Sequence, residues 1–450
     1  MLIYKTDWLN SNPVFYNSKT LKISHNINDV IDFRNLILDP EGFNNYLDFG
    51  YSVFEQTPVK YVKFLPPCSQ ISRKKGALVI KKLKDPTDSW KWKETKVEDV
   101  IKLIQRKIQA WEHSTKGNII IPTSGGYDSR FLNCLVGDKK RIHSFTYGLS
   151  DDQSMSYEVV YAKELAKKLV TQWKQIPLGK FHTYFNDWDK LFGPSVHSHG
   201  MYQIEFYKKI QRIMGRDGSV LSGIFGDIWS GNFSYLTMNK PEDIYKLAYS
   251  HGLHADSKYS LLKSKRTSLN KYWNTNKKKL QKYQYQIVSL VRMKMMLIHY
   301  LLKVPRSLGF SVWSPFLDSE VCLSILNISV KKRLHREWQK EYFRRNECYF
   351  EDIALHRDYS NFLDYTALKK IPLIPLNTDI LKEFIQSSII EKINYRLFHQ
   401  TLFDVCFHKL QKSYYFSILF SKLNIKDRLM ESYVLYLQYK PIEKLLSKRL

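Results

Sequence analysis

Short apolar runs and segments with helical apolar spacing alternate along the middle of the chain. The β-branched run at 119–121, a second run at 143–147 and a third at 220–221 are typical of buried strands. Helical spacing follows the first two runs, beginning near Leu132 and extending over about 156–168. Strands that alternate with helices, with glycine turns at the strand ends, predict an α/β fold with a doubly wound parallel sheet. In such sheets ligands bind outside the carboxyl ends of the strands.

The pattern changes towards both ends of the chain. The first ~90 residues are rich in strand and turn signals, including 39–42, and a polar stretch at 84–96 precedes an amphipathic helix at 97–111. From about Pro241 onward the apolar spacing is helical. We therefore expect a β-rich region at 1–90, an α/β domain at 91–375 and a helical extension at 376–450.

The most informative segment joins the first predicted strand to its helix. It reads Thr123-Ser124-Gly125-Gly126-Tyr127-Asp128-Ser129, and we expect the glycine pair to let the backbone turn tightly. A helix N-terminus attracts anions through its free N–H groups and dipole, and the two serines add hydroxyl donors. An aspartate in a phosphate-binding loop is best explained as a metal ligand facing that phosphate. Because the Gly-Lys-Ser/Thr ending of a Walker loop is missing, the segment predicts a different kind of phosphate site.

Composition narrows the class of protein. The 450 residues, 44% of them hydrophobic, suit two or three domains, and no stretch reaches the ~20 uncharged apolar residues that span a bilayer. Five scattered cysteines and an N-terminus without a signal pattern predict a cytoplasmic protein. The net charge of +27 is spread along the chain, most densely at 263–282. An anionic substrate, or simply lysine-rich usage, is therefore favoured over nucleic-acid binding as the reason for this charge.

The loop from Ser124 to Ser129, Ser-Gly-Gly-x-Asp-Ser, resembles the pyrophosphate loop of glutamine-dependent asparagine synthetases. Segments at 145–162, 221–231 and 313–318 are similar to segments of the same synthetase domain and follow in the same order. The resemblance covers about residues 90–350 and implies an adenine nucleotide α-hydrolase-like fold. It also implies an AMP-forming reaction, in which a carboxylate attacks the α-phosphorus of ATP and a nitrogen nucleophile then displaces AMP to leave an amide.

The resemblance also implies the site residues and the cofactors, ATP and Mg²⁺. Asp128 and Asp227 would hold Mg²⁺, and Lys340 would be the catalytic cation that stabilises charge on the α-phosphate. The residues implied to bind ATP or pyrophosphate are Thr123, Ser124, Gly125, Gly126, Asp128, Ser129, Thr146, Ser222 and Gly223.

Departures from the family are concentrated in the acceptor half of the site and in the N-terminal region. Ile224 and Ile228 stand where asparagine synthetases have acidic residues, which argues against aspartate as the substrate. The N-terminal cysteine of the family's glutaminase is replaced by Leu2, and the first cysteine, Cys68, lies in a proline turn. The 1–90 region is therefore expected to be a truncated, inactive glutaminase remnant. Nitrogen would come from ammonia, from an amine or from a partner glutaminase.

We expect an amide synthetase that acts on a sugar acid or another small carboxylate. Three alternatives stay open: a macrolactam-forming peptide cyclase, an RNA-modifying adenylating enzyme and an inactive scaffold. His197 and His199 are too few for a metal site, although their position between the second and third strands suits a substrate loop. The oligomeric state is left open, with a homodimer as one possibility.

Overall fold

A computed structural model describes residues 3–216, 218–250, 252–399, 401–411, 419–420, 422–423 and 425–449. Its strands are β1 (Ile3–Lys5), β2 (Phe15–Asn17), β3 (Ile23–Ser24), β4 (Val62–Phe64), β5 (Ser69–Lys74), β6 (Ala77–Lys82), β7 (Ile119–Pro122), β8 (Ile142–Thr146), β9 (Gln172–Gln175), β10 (Ser219–Leu221) and β11 (Ser311–Trp313). The described α-helices of eight or more residues are Pro40–Phe49, Val97–Ser114, Tyr127–Leu135, Tyr157–Leu169, Phe185–Phe192, Tyr202–Met214, Thr267–Asn276, Tyr283–Ile298, Tyr300–Ser307, Ser319–Leu326, Glu337–Arg345, Leu363–Lys370, Ser387–Phe398, Leu402–Gln411 and Arg428–Ser447. The shorter ones are Ile27–Val30, Pro86–Ser89, Gly226–Ser230, Ile244–Leu247, Val330–Arg333 and Thr378–Leu381.

The centre of the fold is a five-stranded parallel sheet with the order β11-β10-β7-β8-β9. From β7 the chain adds β8 and β9 on one side, and it then returns to place β10 and β11 on the other side. The strand order therefore reverses between β7 and β10, which is where ligands bind in open α/β sheets. The prediction of a mixed α/β fold with a parallel sheet is confirmed.

The three predicted strands are present, as β7, β8 and β10. The expectation of helices alone after Pro241 is wrong at β11, a three-residue strand paired with β10. So short a strand leaves no period-2 pattern in the sequence. The amphipathic helix expected at 97–111 is present as Val97–Ser114, and its Trp111 stacks on Trp313 of β11 with 5.4 Å between the ring centroids.

The N-terminal region forms two three-stranded antiparallel sheets, β1-β5-β6 and β3-β2-β4, together with the helix Pro40–Phe49 and shorter helical turns. The turn expected at 39–42 is instead the start of the helix Pro40–Phe49. Asp39 caps this helix by accepting a hydrogen bond from the backbone N of Gly42 at 2.7 Å, and Pro40 occupies its first turn. An aspartate followed by proline is a helix start as well as a turn signal, and the apolar face of the following residues decides between the two.

The C-terminal helix Arg428–Ser447 packs on both the helix Ser387–Phe398 and the N-terminal region. The Tyr46 hydroxyl donates to the carbonyl O of Gln438 at 2.9 Å, and Gln438 Nε2 donates to the carbonyl O atoms of Tyr46 and Leu47. One hydrophobic core thus joins residues of the N-terminal region, the central sheet and the C-terminal helices. Of the helices in the described ranges, none combines the length and the apolar character needed to cross a lipid bilayer.

Candidate active site

The glycine loop lies between β7 and the helix Tyr127–Leu135, at the carboxyl edge of the sheet. The hydroxyl of Ser129 accepts a hydrogen bond from the backbone N of Ser124 at 3.0 Å. In turn the hydroxyl of Ser124 accepts from the backbone N of Gly126 at 3.2 Å. The two predicted serines are therefore brought together, and in this structure their hydroxyls maintain the shape of the loop. Ser124 is exposed, so the loop opens towards solvent.

Gly125 is required for space rather than for backbone freedom. Neither glycine of the pair has a positive φ, and Gly126 has a φ of −73°. A Cβ at position 125 would lie 2.7 Å from the ring of Tyr157 and 2.9 Å from that of Tyr161, distances that real Cβ contacts do not reach. The chain bends at both glycines, and the lack of a side chain at Gly125 lets the loop lie directly against the helix Tyr157–Leu169.

A buried network joins the loop to β8. Asn133 Nδ2 donates to Thr123 Oγ1 at 3.0 Å and to the carbonyl O of Ser129 at 2.8 Å, while Asn133 Oδ1 accepts from Ser144 Oγ at 2.9 Å. Thr146 Oγ1 donates to the carbonyl O of Thr123 at 2.7 Å. The predicted residues Thr123 and Thr146 are therefore in direct contact, and buried hydrogen bonds of this kind hold a loop in one conformation.

Arg130 is an anchor of the loop that sequence reasoning missed. Its side chain is 1% exposed and forms a bidentate ion pair with the carboxylate of Glu351, with both N–O distances at 3.0 Å. It also donates to the carbonyl O of Gly125 at 2.8 Å and to that of Cys348 at 3.1 Å. Arg130 thus ties the glycine loop to the segment at 348–351.

The second loop of the site follows β10. The hydroxyl of Ser222 accepts from the backbone N of Ile224 at 3.3 Å, and Phe225 adopts a left-handed φ of 61° before the helix Gly226–Ser230. A Cβ at Gly226 would lie 2.6 Å from the carboxyl carbon of Asp128, and one at Gly223 would lie 3.3 Å from its Cβ. The side chain of Asp128 therefore fits into a cradle formed by two glycines of the second loop.

Asp128 and Asp227 lie close enough to interact electrostatically. Burial, and next the negative charge of Asp227, raise the pKa of Asp128 to about 8, while Arg336 and Gln339 act in the opposite direction. The Oδ1 atom of Asp128 is buried and has no hydrogen-bond partner among the described residues. Asp227 accepts from Asn232 Nδ2 at 3.1 Å. Two adjacent carboxylates with one unpaired buried oxygen fit a divalent cation that would restore their ionised state.

The side chains available to bind this divalent cation indicate which metal ion fits the site. Within the part of the chain that the structure describes, no group of three or more His, Cys, Asp or Glu residues is arranged to hold a metal ion. Mg²⁺ commonly takes only one or two carboxylates from the protein and fills its other positions with water and substrate phosphates. Asp128 and Asp227 therefore suit Mg²⁺ brought with a nucleotide better than a resident structural metal.

The segment at 333–345 supplies a third wall. His335 and Arg336 both have left-handed φ values, 53° and 60°, which non-glycine residues rarely adopt. The guanidinium of Arg336 lies 4.6 Å from the ring centroid of Tyr127 and lowers the pKa of Asp128. Lys340, the predicted catalytic cation, is on the following helix and pairs with Glu337 at 2.7 Å. The sequence pointed to Lys340 in this segment, and the structure adds Arg336, whose positive charge lowers the pKa of Asp128.

Lys294 is a buried cation near the site. Lys294 is 8% exposed. Burial lowers the pKa of its ammonium group, while the negative charge of Asp227 raises it. A signal for it was present in the sequence, because it is a lysine inside the apolar stretch at 287–304. Ile224 is 4% exposed and Ile228 is half-buried, so both positions where the resembling family has acids are apolar here.

The histidines at 197 and 199 belong to a different part of the fold. The backbone N of His197 donates to the carbonyl O of Gly50, and His199 Nε2 lies 3.2 Å from a carboxylate oxygen of Asp364. Burial lowers the pKa of His197 to about 3, so its ring is neutral. Cys68 is 5% exposed, and burial followed by the charge of Asp85 raises its pKa to about 11. Its thiol is therefore a poor nucleophile.

Comparison with known proteins identifies no family for this chain. The chain matches no protein-family model, and no curated protein is significantly similar to it.

Proposed function

We propose that the protein is an ATP-dependent, AMP-forming amide synthetase of the asparagine-synthetase-like kind, with a doubly wound adenine nucleotide α-hydrolase-like domain. The observation that carries this proposal is the contact between Asp128 and the loop that contains Asp227. The two loops follow β7 and β10, the strands between which the strand order reverses. An anion-binding helix N-terminus and two carboxylates meet at the position where such sheets bind nucleotides.

In this proposal the loop residues bind and orient the triphosphate. Backbone N–H groups of the glycine loop and the hydroxyls of Ser124 and Ser129 would donate to the departing pyrophosphate, exchanging their bonds within the loop for bonds to phosphate. Bound Mg²⁺ would neutralise phosphate charge, so that pyrophosphate leaves more readily. Arg336 and Lys294 add positive charge at the same edge of the sheet, and Lys340 would act on the α-phosphate after its pairing with Glu337 is broken.

The acceptor would be a carboxylate that does not require an acidic subsite for a neighbouring amino group. Because Ile224 and Ile228 are apolar, the acceptor half lacks the two acids that would bind an amino group next to the reacting carbon. This favours a sugar acid or another small carboxylate over an amino acid. The raised pKa of Cys68 argues against glutamine hydrolysis by this chain, so ammonia, an amine or a partner glutaminase would supply the nitrogen.

The test is ATP–pyrophosphate exchange with the purified protein, Mg²⁺ and a panel of sugar acids, amino acids and linear peptides. We expect exchange with at least one carboxylate, and its loss in Asp128→Ala and Asp227→Ala by a factor on the order of 10²–10³ or more. Asp187→Ala is the matched control, since Asp187 is a surface aspartate paired with Lys208. Equal activity in the control and the two site variants would refute the assignment, and no ATP binding by the wild type would refute the function.

The net charge of +27 favours one other candidate, an enzyme that adenylates RNA. Purification with and without nuclease, followed by sequencing of any bound nucleic acid, separates the two. A defined RNA species that supports pyrophosphate exchange in place of a small carboxylate would establish the alternative.

A further inference from the structure

Gln339 is a buried side chain whose amide group is unpaired. The residue has no solvent exposure, and neither Nε2 nor Oε1 finds a hydrogen-bond partner in the described ranges. Its neighbour Trp338 fixes the position of the helix Glu337–Arg345, because Trp338 Nε1 donates to the carbonyl O of Ser230 at 3.1 Å. The one interaction of the amide seen at this site among the described residues is a side-chain contact with Asp128, longer than a normal hydrogen bond, which lowers the pKa of that carboxyl.

Gln286 is a buried glutamine of this chain whose amide is fully hydrogen-bonded within the fold. Gln286 is equally buried, and its Oε1 accepts from the backbone N of Leu236 at 3.0 Å. Its Nε2 donates to the carbonyl O atoms of Leu236 and Leu280 at 2.7 and 2.9 Å. Buried polar groups are nearly always bonded in this way, because an unpaired one destabilises the protein. Gln339 departs from that rule at the same place as Asp128, whose Oδ1 is also unpaired by any described residue.

The backbone immediately before Gln339 also has a feature that is typical of ligand-binding sites. His335 and Arg336 hold left-handed φ values immediately before the helix that carries it. Such conformations are unfavourable for residues with a Cβ and persist where the surrounding structure imposes them, commonly at ligand sites. Two independent features, a strained backbone and an unpaired buried amide, therefore coincide in the segment at 333–345, the third wall of the candidate site.

We propose that Gln339 is a ligand-binding residue of this site: its Nε2 donates to a phosphate oxygen of the bound nucleotide, and its Oε1 accepts from a water in the hydration shell of the accompanying Mg²⁺. This inference rests on the proposed function. An amide suits the position because it offers both a donor and an acceptor without adding a third negative charge beside Asp128 and Asp227. The ligand class is a magnesium-bound nucleoside triphosphate.

The experiment compares Gln339→Met with Gln286→Met, since methionine is similarly long and unbranched but lacks the amide. Each protein is unfolded thermally without ligand, and its affinity for Mg²⁺ with α,β-methylene-ATP is measured by calorimetry. We expect Gln339→Met to unfold at a temperature no lower than the wild type and to bind the analogue at least about tenfold more weakly. Gln286→Met should unfold at a lower temperature and, while folded, bind the analogue within about threefold of wild type.

Binding by Gln339→Met within about twofold of wild type would overturn the inference and leave the proposed function intact. A fall in unfolding temperature as large as that of Gln286→Met would overturn it as well, because the amide would then be serving the fold. Failure of the folded wild type to bind the analogue would instead refute the proposed nucleotide function, and the role of Gln339 with it. The wild-type measurement and the variant measurement thus distinguish the two failures.

Discussion

Replacing Arg130 by methionine tests whether the glycine loop is held in place by the segment at 348–351. Methionine retains much of the apolar contact with the aromatic rings around the guanidinium, so the change removes mainly charge and hydrogen bonds. Glu351 loses its ion-pair partner, and the carbonyl O atoms of Gly125 and Cys348 each lose a donor.

The structure sets the expected magnitude. Removing one partner of a buried ion pair costs about 3–5 kcal/mol, and the lower end applies because the side chain of Glu351 is 26% exposed and can regain water. Two lost hydrogen bonds to carbonyl groups add about 1 kcal/mol each. We therefore expect Arg130→Met to lower the free energy of unfolding by about 5 kcal/mol, a large share of the roughly 5–15 kcal/mol typical of folded proteins.

Urea unfolding measures the loss, and calorimetry with Mg²⁺ and α,β-methylene-ATP measures the effect on the loop. Arg141→Met is the matched control, since Arg141 also donates to three backbone carbonyl groups, those of Gly117, Glu112 and Thr115, but is only half-buried and lies outside the site. The control should be less destabilised and should bind the analogue normally. A loss below about 1 kcal/mol in Arg130→Met, or one equal to that of the control, would refute the reasoning.

The other predictions concern the same loop and its surroundings. The pKa of Asp128 is higher in the folded state than its ordinary 3.8, so its contribution to stability is full at low pH and is lost as pH rises to about 8. Urea unfolding without metal should show wild-type stability falling relative to Asp128→Asn between pH 5 and 8, and parallel curves would contradict this. Gly125→Ala should weaken nucleotide binding by about tenfold or more through its clash with Tyr157, and Tyr157→Leu should partly restore it; normal binding by the single variant would show that space is not limiting. If Lys340 acts in catalysis, Lys340→Ala should lower kcat with little change in nucleotide affinity, and arginine should rescue it poorly, whereas wild-type kinetics would leave it a surface partner of Glu337.

The sequence predicted the centre of the sheet because its signal there is local. Consecutive β-branched residues followed by a glycine loop and helical spacing mark β7, and β8 and β10 carry shorter versions of the pattern. β9 and β11 are edge strands with partly exposed side chains and no apolar run, and they form because a neighbouring strand is available for pairing. The start of the helix Pro40–Phe49 was misjudged because the same residues begin helices and turns.

The site was predicted only where its residues are contiguous with a recognisable loop. Asp128 and Asp227 follow strands whose carboxyl ends meet, so their proximity could be inferred from the order of elements. Arg130, Gln339 and Lys294 could not be found in this way, because their roles depend on contacts with residues distant in the chain. All three share one signal in the sequence, a charged or polar residue at an apolar-facing position of a helix. The role of such a residue can be assigned only when the residues packed around it in the fold are known.

The pairing of Tyr46 with Gln438 has a consequence for how the chain is made. These residues are 392 positions apart, so at about 5–20 residues per second a ribosome needs roughly 20–80 s to pass from one to the other. During that time the apolar face of the helix Pro40–Phe49 lacks the surface that finally covers it. Long-range contacts of this kind slow folding and expose nascent chains to aggregation. Chaperones that bind apolar segments would therefore be expected to engage this N-terminal helix until the helix Arg428–Ser447 has left the ribosome.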